Sequence, residues 1–87
     1  MQQTTLYSTN DLALAATLSL WVSLDSIDQS PETKRATFNF ERSDLLNGLI
    51  EDYWHNKLQV EPQAFFNNLR NIKTRLYEGH NRYIQNY

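Results

Sequence analysis

The sequence predicts an α+β domain with the element order β-α-β-β-α-α. Residues 36–40 alternate strictly, with Ala36, Phe38 and Phe40 on one side and polar residues between them, which is typical of a strand with one buried face. Three other segments repeat apolar residues every three or four positions, as amphipathic helices do. Because 87 residues provide one core, we expect a single domain over residues 1–79 with an antiparallel hairpin packed against the helices.

The N-terminal part is expected to contain a strand followed by a helix. Residues 4–8 are β-branched, aliphatic and aromatic, which favours a short strand at a sheet edge. Ser8 and Asp11 have the spacing of a capping box. We expect them to open a helix that ends at about 19–21 and is buried on more than one side.

The hairpin is predicted at 22–41. Its first strand follows the alternation of Val22 and Leu24 with polar residues, its second strand is 34–41, and a turn-rich loop, QSPET, joins them. On the second strand the Phe38 side is predicted to face the core, and the side that carries Thr37 and Asn39 is predicted to face water.

The second helix is expected to begin at Ser43, whose hydroxyl is placed to cap it, and to run to about His55. Gly48 within this helix lowers its propensity, and close helix packing would explain its presence. The predicted apolar face contains Leu45, Leu46, Leu49, Ile50, Tyr53 and Trp54.

The last helix has the clearest boundaries. An acidic residue and a proline open the segment 61–79, and Gly79 is expected to end it. An apolar seam is predicted to form the most buried part of this helix, with Leu69→Ala costing about 2–5 kcal/mol as a buried large-to-small change. The seam consists of Phe65, Leu69, Ile72 and Leu76. The tail, 80–87, has no apolar period, which is typical of a flexible segment or of one that orders on a partner.

A second row lies beside this seam and mixes two aromatic rings with two cations. Cations neutralise phosphates, aromatic rings stack on unpaired bases, and asparagines at 67, 68 and 71 can bond base edges. The structural alternative is that the rings border the core and are covered by the stems of the cations. The predicted nucleic-acid-binding residues are Phe66, Asn67, Arg70, Asn71, Lys73, Tyr77 and Arg82.

The charges are unevenly distributed along the chain. Residues 1–62 carry nine acidic and four basic side chains, a balance of −5, whereas residues 63–87 carry one acidic and four basic ones, a balance of +3. A domain polarised in this way can present a positive face to an anionic partner. Cations near the C-terminal end of a helix are also favoured by its dipole, so the polarity has a purely structural explanation as well.

Composition argues against several classes of protein. The chain has no cysteine, which excludes disulfides and thiolate metal sites and fits a cytoplasmic protein. The run 12–22 is too short to span a bilayer and lacks the basic start of a secretory signal. Glu51, Asp52 and His55 can share a helix face, but because His80 is the one further histidine in the chain, a solvated acidic patch explains them better than a zinc site. With no phosphate loop and no nucleophile elbow, we expect neither an enzyme nor a cofactor.

Several short motifs resemble a small bacterial and phage family of uncharacterised domains, over roughly residues 5–78. They are Tyr7-Ser8-Thr9-Asn10-Asp11 leading into Leu14-Ala15, Thr37-Phe38-Asn39-Phe40, the Tyr53-Trp54 pair, and Val60-Glu61-Pro62 with Phe66, Leu69-Arg70, Lys73 and Leu76-Tyr77. The resemblance implies a shared fold and no assigned activity.

Two functional hypotheses follow. The first is a nucleic-acid-binding accessory protein of a phage, mobile element or related bacterial system, acting through the last helix and the tail. The second is a protein-interaction module, either a homodimer or a small subunit or inhibitor of a larger nucleoprotein complex. Affinity for nucleic acid that falls steeply with salt would favour the first.

Overall fold

The computed structural model describes residues 5–30, 32 and 35–84, with side chains up to Tyr77. In this part of the chain, three strands and three helices follow the predicted order, which confirms the α+β fold. They are β1 (Leu6–Thr9), α1 (Leu12–Leu18), β2 (Ser26–Gln29), β3 (Ala36–Glu41), α2 (Asp44–Trp54) and α3 (Pro62–Ile84).

The strands form one antiparallel sheet in the order β1-β3-β2, so β1 lies at an edge as predicted. Tyr7 pairs with Phe40, and Ile27 pairs with Phe38. Directly paired residues share a face of the sheet, and this face carries the buried Phe38 and Phe40 into the core. The predicted orientation of the hairpin is therefore confirmed.

Helix α1 is the most deeply buried element. Leu14, Ala15, Ala16 and Leu18 are completely buried, and α1 contacts β1, α2 and α3. Its alanines keep the helix slim, so two other helices and the sheet can approach it closely. The prediction that this helix is buried on more than one side is confirmed.

The N-terminus of α1 differs from the predicted capping box. Asp11 is the cap, and its Oδ1 accepts a hydrogen bond from the Leu14 amide at 3.1 Å. Ser8 lies in β1, where its hydroxyl donates to Asn39 Oδ1 at 2.6 Å instead of capping the helix. Thr9 Oγ1 accepts a hydrogen bond from the Asp11 amide, and this bond helps to position the capping residue.

The first strand of the hairpin begins later than predicted. The amides of Trp21 and Val22 both donate to the carbonyl oxygen of Leu18 at 3.0 Å. These bonds turn the chain at the end of α1, so residues 22–25 are not part of a strand. Val22 and Leu24 still pack against the core, which explains why their alternation resembles that of a strand.

The outer face of the sheet contains a buried asparagine. Asn39 was predicted to face water, but only 4% of it is exposed. Its amide nitrogen donates to Ser26 Oγ and to Asp28 Oδ2, both at 3.0 Å. Together with the bond from Ser8, these contacts satisfy the side chain and tie the central strand to both of its neighbours.

Helix α2 begins as predicted, with Ser43 Oγ accepting from the Leu46 amide at 3.0 Å. Leu46 and Leu49 are buried, but Leu45 and Trp54 of the predicted apolar face are 54% and 60% exposed. About 100° separates successive residues, so these two lie on opposite flanks of a narrower buried stripe.

Gly48 lies on an open side of α2. A Cβ atom on Gly48 would meet nothing within 4 Å, so the prediction that this glycine permits close packing is wrong.

Tyr53 is half-buried on the core side. Burial, and secondarily the nearby Asp11 carboxylate, raises the pKa of the Tyr53 phenol above its usual value.

Helix α3 continues beyond its predicted end at Gly79, reaching Ile84. A glycine inside a helix costs about 1 kcal/mol relative to alanine, which weakens the helix without interrupting its hydrogen bonds. Within the tail, residues 80–84 continue α3 and residues 85–87 lie outside the described part, so the flexibility of the tail stays a prediction.

We expect Ile72→Ala to destabilise the fold more than Leu69→Ala. Ile72 is 4% exposed, whereas Leu69 is half-buried, so the cost first expected for Leu69 applies to Ile72. Its truncation should cost about 2–5 kcal/mol, out of a total of about 5–15 kcal/mol for a small domain. Urea unfolding of both variants provides the comparison. A larger loss for Leu69→Ala would contradict the observed orientation of α3, in which Ile72 is more deeply buried than Leu69.

Removal of the buried amide should also destabilise the sheet. Asn39→Ala leaves partners on β1 and β2 without their hydrogen bonds, and we expect a loss of about 1–3 kcal/mol. The exposed Gln29 on β2 provides a control, since Gln29→Ala should change stability by less than about 0.5 kcal/mol. Equal thermal midpoints for the two variants would show that the Asn39 network contributes nothing.

Candidate nucleic-acid interface

The start of α3 fixes the position of the candidate interface. Glu61 Oε1 accepts a hydrogen bond from the Ala64 amide at 2.8 Å, and Pro62 occupies the first helical position, where a missing amide proton costs nothing.

Ile72 is buried, and Phe65, Leu69 and Leu76 pack against the core. The seam therefore faces the core as predicted, although Ile72 alone of the four is fully buried.

Asn68 fastens α3 to the end of α1. Its Nδ2 donates to the carbonyl oxygen of Ala16 at 3.1 Å and to Ser19 Oγ at 2.7 Å. The Ala16 carbonyl oxygen, in the last turn of α1, accepts this bond in addition to one from Ser19 Oγ at 3.1 Å. Asn68 was first considered as a group that could bond base edges, but the structure engages its Nδ2 with α1.

The predicted row lies on one exposed stripe of α3. Phe66 and Tyr77 are 57% and 65% exposed, and Arg70 and Lys73 are exposed between them. At about 100° and 1.5 Å per residue, the four side chains fall within an arc of about 60° along roughly 16 Å of helix. We call these four residues the α3 row.

The two rings do not behave as the borders of a core. More than half of each ring-bearing residue is exposed, so the stems of the neighbouring cations do not cover them. Phe66 contacts Phe65 edge to face, with ring centroids 5.7 Å apart, which fixes its position while leaving its outer face accessible.

The cations of the α3 row are not neutralised by neighbours. Among the residues that the structure describes, Arg70 and Lys73 form no ion pair, and Arg70 Nη1 makes one long hydrogen bond of 3.4 Å to Asn67 Oδ1. Residues 63–77 contain no acidic side chain. The stretch of α3 that carries the row therefore has a net positive charge.

The other three residues predicted to bind nucleic acid lie in different places. Asn67 is exposed and adjoins Arg70. Asn71 lies about 100° further around the helix than Arg70 and lines a groove on the opposite flank of α3. The Arg82 side chain lies outside the described residues.

The groove was not predicted from the sequence. It has a volume of about 470 Å³ and lies between the segment 19–24 and the middle of α3. Trp21, which is 44% exposed, and Arg75 both line it. Helical periodicity could have separated Arg75 from the α3 row, but no local pattern indicates that Trp21 lies nearby.

The described part of the chain contains no cluster of three side chains that could ligate a metal ion. No three histidine or acidic side chains there lie close enough together to hold an ion. His55, the histidine considered above, has its Nδ1 2.8 Å from the Glu51 carbonyl oxygen at the end of α2.

A comparison with family models places the fold in a known group. The model described as Domain of unknown function (DUF5659) matches residues 4–78, which include all three strands, α1, α2 and most of α3. The chain belongs to the DUF5659 family. The match confirms the resemblance to a family of uncharacterised domains and extends over the α3 row and the groove.

No curated protein and no solved structure matched this DUF5659 domain. Within the described residues, no helix combines the length and the apolar character needed to cross a membrane.

Proposed function

We propose that this DUF5659 domain is a non-enzymatic nucleic-acid-binding accessory protein that binds through the α3 row. The observation that carries the proposal is the exposure of two aromatic rings and two cations along one stripe. Cations hold phosphates irrespective of sequence, and aromatic rings stack on bases of every kind. A stripe of both types suits a polyanion that also presents flat rings.

The charge distribution supports the same proposal. The overall charge of −2 would repel a nucleic acid from most of the surface, while the segment that forms α3 and the tail carries +3. This uneven charge favours an encounter in which α3 faces the nucleic acid. The phage, mobile-element or bacterial setting and the cytoplasmic location belong to the proposal and rest on the resemblance and on the absence of cysteine.

The second candidate is a protein-interaction module, as a homodimer or as a subunit or inhibitor of a nucleoprotein complex. It is supported by large apolar side chains exposed away from the α3 row, namely Leu45 and Trp54 on α2 and Leu6 on β1. Exposed apolar side chains that occur singly are common on monomers, whereas uncompensated cations interleaved with rings are more specific. The nucleic-acid proposal therefore takes precedence.

The test is the double variant Arg70→Gln/Lys73→Gln. Both side chains are exposed, so stability should change by less than about 0.5 kcal/mol per site. Affinity for labelled DNA and RNA strands should fall, and the slope of log K against log salt should decrease by about 0.7–0.9 for each phosphate that the variant no longer neutralises. Fluorescence anisotropy over a salt series, starting at about 50 mM, measures both quantities.

A matched control removes the same amount of charge elsewhere. Arg35→Gln/Lys57→Gln also lowers the net charge by two, at exposed positions that precede α3. If the slope depends on contacts with α3, this control should bind like the wild type. Equal losses of affinity in the two double variants would show that affinity depends on the net charge of the protein and not on contacts with α3. A wild type that binds no nucleic acid at about 50 mM salt would overturn the proposal in favour of a protein partner.

A further inference from the structure

The groove beside Trp21 has the size of a ligand site. Its volume of about 470 Å³ falls within the range of roughly 300–1,000 Å³ that is usual for small-molecule pockets. One wall is the segment that leaves α1, and the other is the middle of α3. Asn68 holds the two walls together through its bonds to Ala16 and Ser19, so the groove is built on fixed elements.

The lining combines a cation with an aromatic ring, side-chain amides and apolar side chains. Among the described residues that line the groove, Arg75 alone is charged. The buried Ile72 and the half-buried Val22 and Leu24 are its apolar side chains. Trp21 adds an indole ring with nearly half of the residue exposed, and Asn71 adds a side-chain amide one helical turn from Arg75.

This combination selects for a ligand that is anionic at one end and flat at the other. A guanidinium group pairs with phosphate through parallel hydrogen bonds, and an indole ring stacks on a base. An amide can donate to and accept from the polar edge of that base. A nucleotide carries all three complementary groups.

We infer that the groove holds one unpaired nucleotide of a single-stranded nucleic acid, with its base against Trp21 and its phosphate at Arg75. The inference rests on the proposed function and specifies its substrate, because a base has to leave its pairing partner and its stacked neighbours before its face can stack on Trp21. The strand reaches it from the α3 row across the outward face of the helix. That path is about 17 Å for a helix about 11 Å in diameter, and Asn67 and Asn71 lie along it.

The chain offers a direct probe of the groove. It contains two tryptophans, Trp21 and Trp54, so Trp54→Phe leaves Trp21 as the only indole. In this background, a single strand of about 12 nucleotides, within the usual site size of one small binding domain, should quench Trp21 emission as it binds. The corresponding duplex should quench it much less. Anisotropy of the labelled strand measures binding independently of the quenching.

Substitutions in the groove separate its contribution from that of the α3 row. Trp21→Ala should weaken single-strand binding roughly 5- to 150-fold, the range of one base–aromatic stack. The matched control is Trp54→Ala, which removes an exposed indole outside the groove and should leave affinity unchanged. Arg75→Gln should lower the salt slope by about 0.7, the value for one phosphate of a single strand, and it should abolish most of the quenching.

The outcomes distinguish the two proposals. If strands bind through the α3 row while Trp21 is not quenched and Trp21→Ala and Arg75→Gln bind like the wild type, the inference about the groove is overturned and the proposed function stands. Equal quenching by duplex and single strand would overturn the selectivity for unpaired nucleotides. If no strand raises the anisotropy, the proposed function and the inference both fail. Circular dichroism melting of each variant verifies that the fold is retained.

Discussion

The burial of α1 is the constraint on which the rest of the structure depends. This short helix lies with Leu14, Ala15, Ala16 and Leu18 completely out of water, in contact with β1 and both other helices. Small side chains allow several elements to pack closely against one helix, and interiors are dense enough that added volume there is felt. The segment that follows α1 donates hydrogen bonds to the carbonyl oxygens of its last turn, and α3 adds one more to the Ala16 carbonyl through Asn68.

The way α3 docks on α1 determines which of its faces remain available. The apolar seam and Asn68 use one side of the helix, and the exposed stripe of Phe66, Arg70, Lys73 and Tyr77 lies beside it. The same docking places Arg75 opposite the segment that leaves α1 and thereby forms the groove around Trp21. One docking geometry therefore produces both candidate binding features.

The sequence predicted those features that depend on local periodicity. Spacings of three and four placed the seam and the α3 row on their correct faces, and alternation placed Phe38 and Phe40 in the core. The cap of α2 was predicted correctly, because the bond between Ser43 Oγ and the Leu46 amide joins residues that are close in the sequence. At Ser8 the prediction was wrong, because a partner 31 positions away takes the hydroxyl.

The features that were missed depend on contacts between distant segments. Asn39 occupies a polar position in an alternating strand, and its burial follows only when residues of β1 and β2 are brought beside it. Asn68 and Ser19 are separated by 49 positions, so no spacing indicates that they bond or that a groove forms next to them. The apparent strand at Val22 reflected a turn whose residues alternate between the core and water.

The central claim is that nucleic acid binds on the outward side of α3, and amide chemical shifts measured by NMR during titration with a single-stranded oligonucleotide test it most directly. We predict shift changes at Phe66, Arg70, Lys73 and Tyr77, together with the side-chain amides of Asn67 and Asn71, while the buried amides of α1 stay unchanged. Changes confined to the outer face of the sheet, around Asp28 and Glu41, would contradict the account, as would an unchanged spectrum.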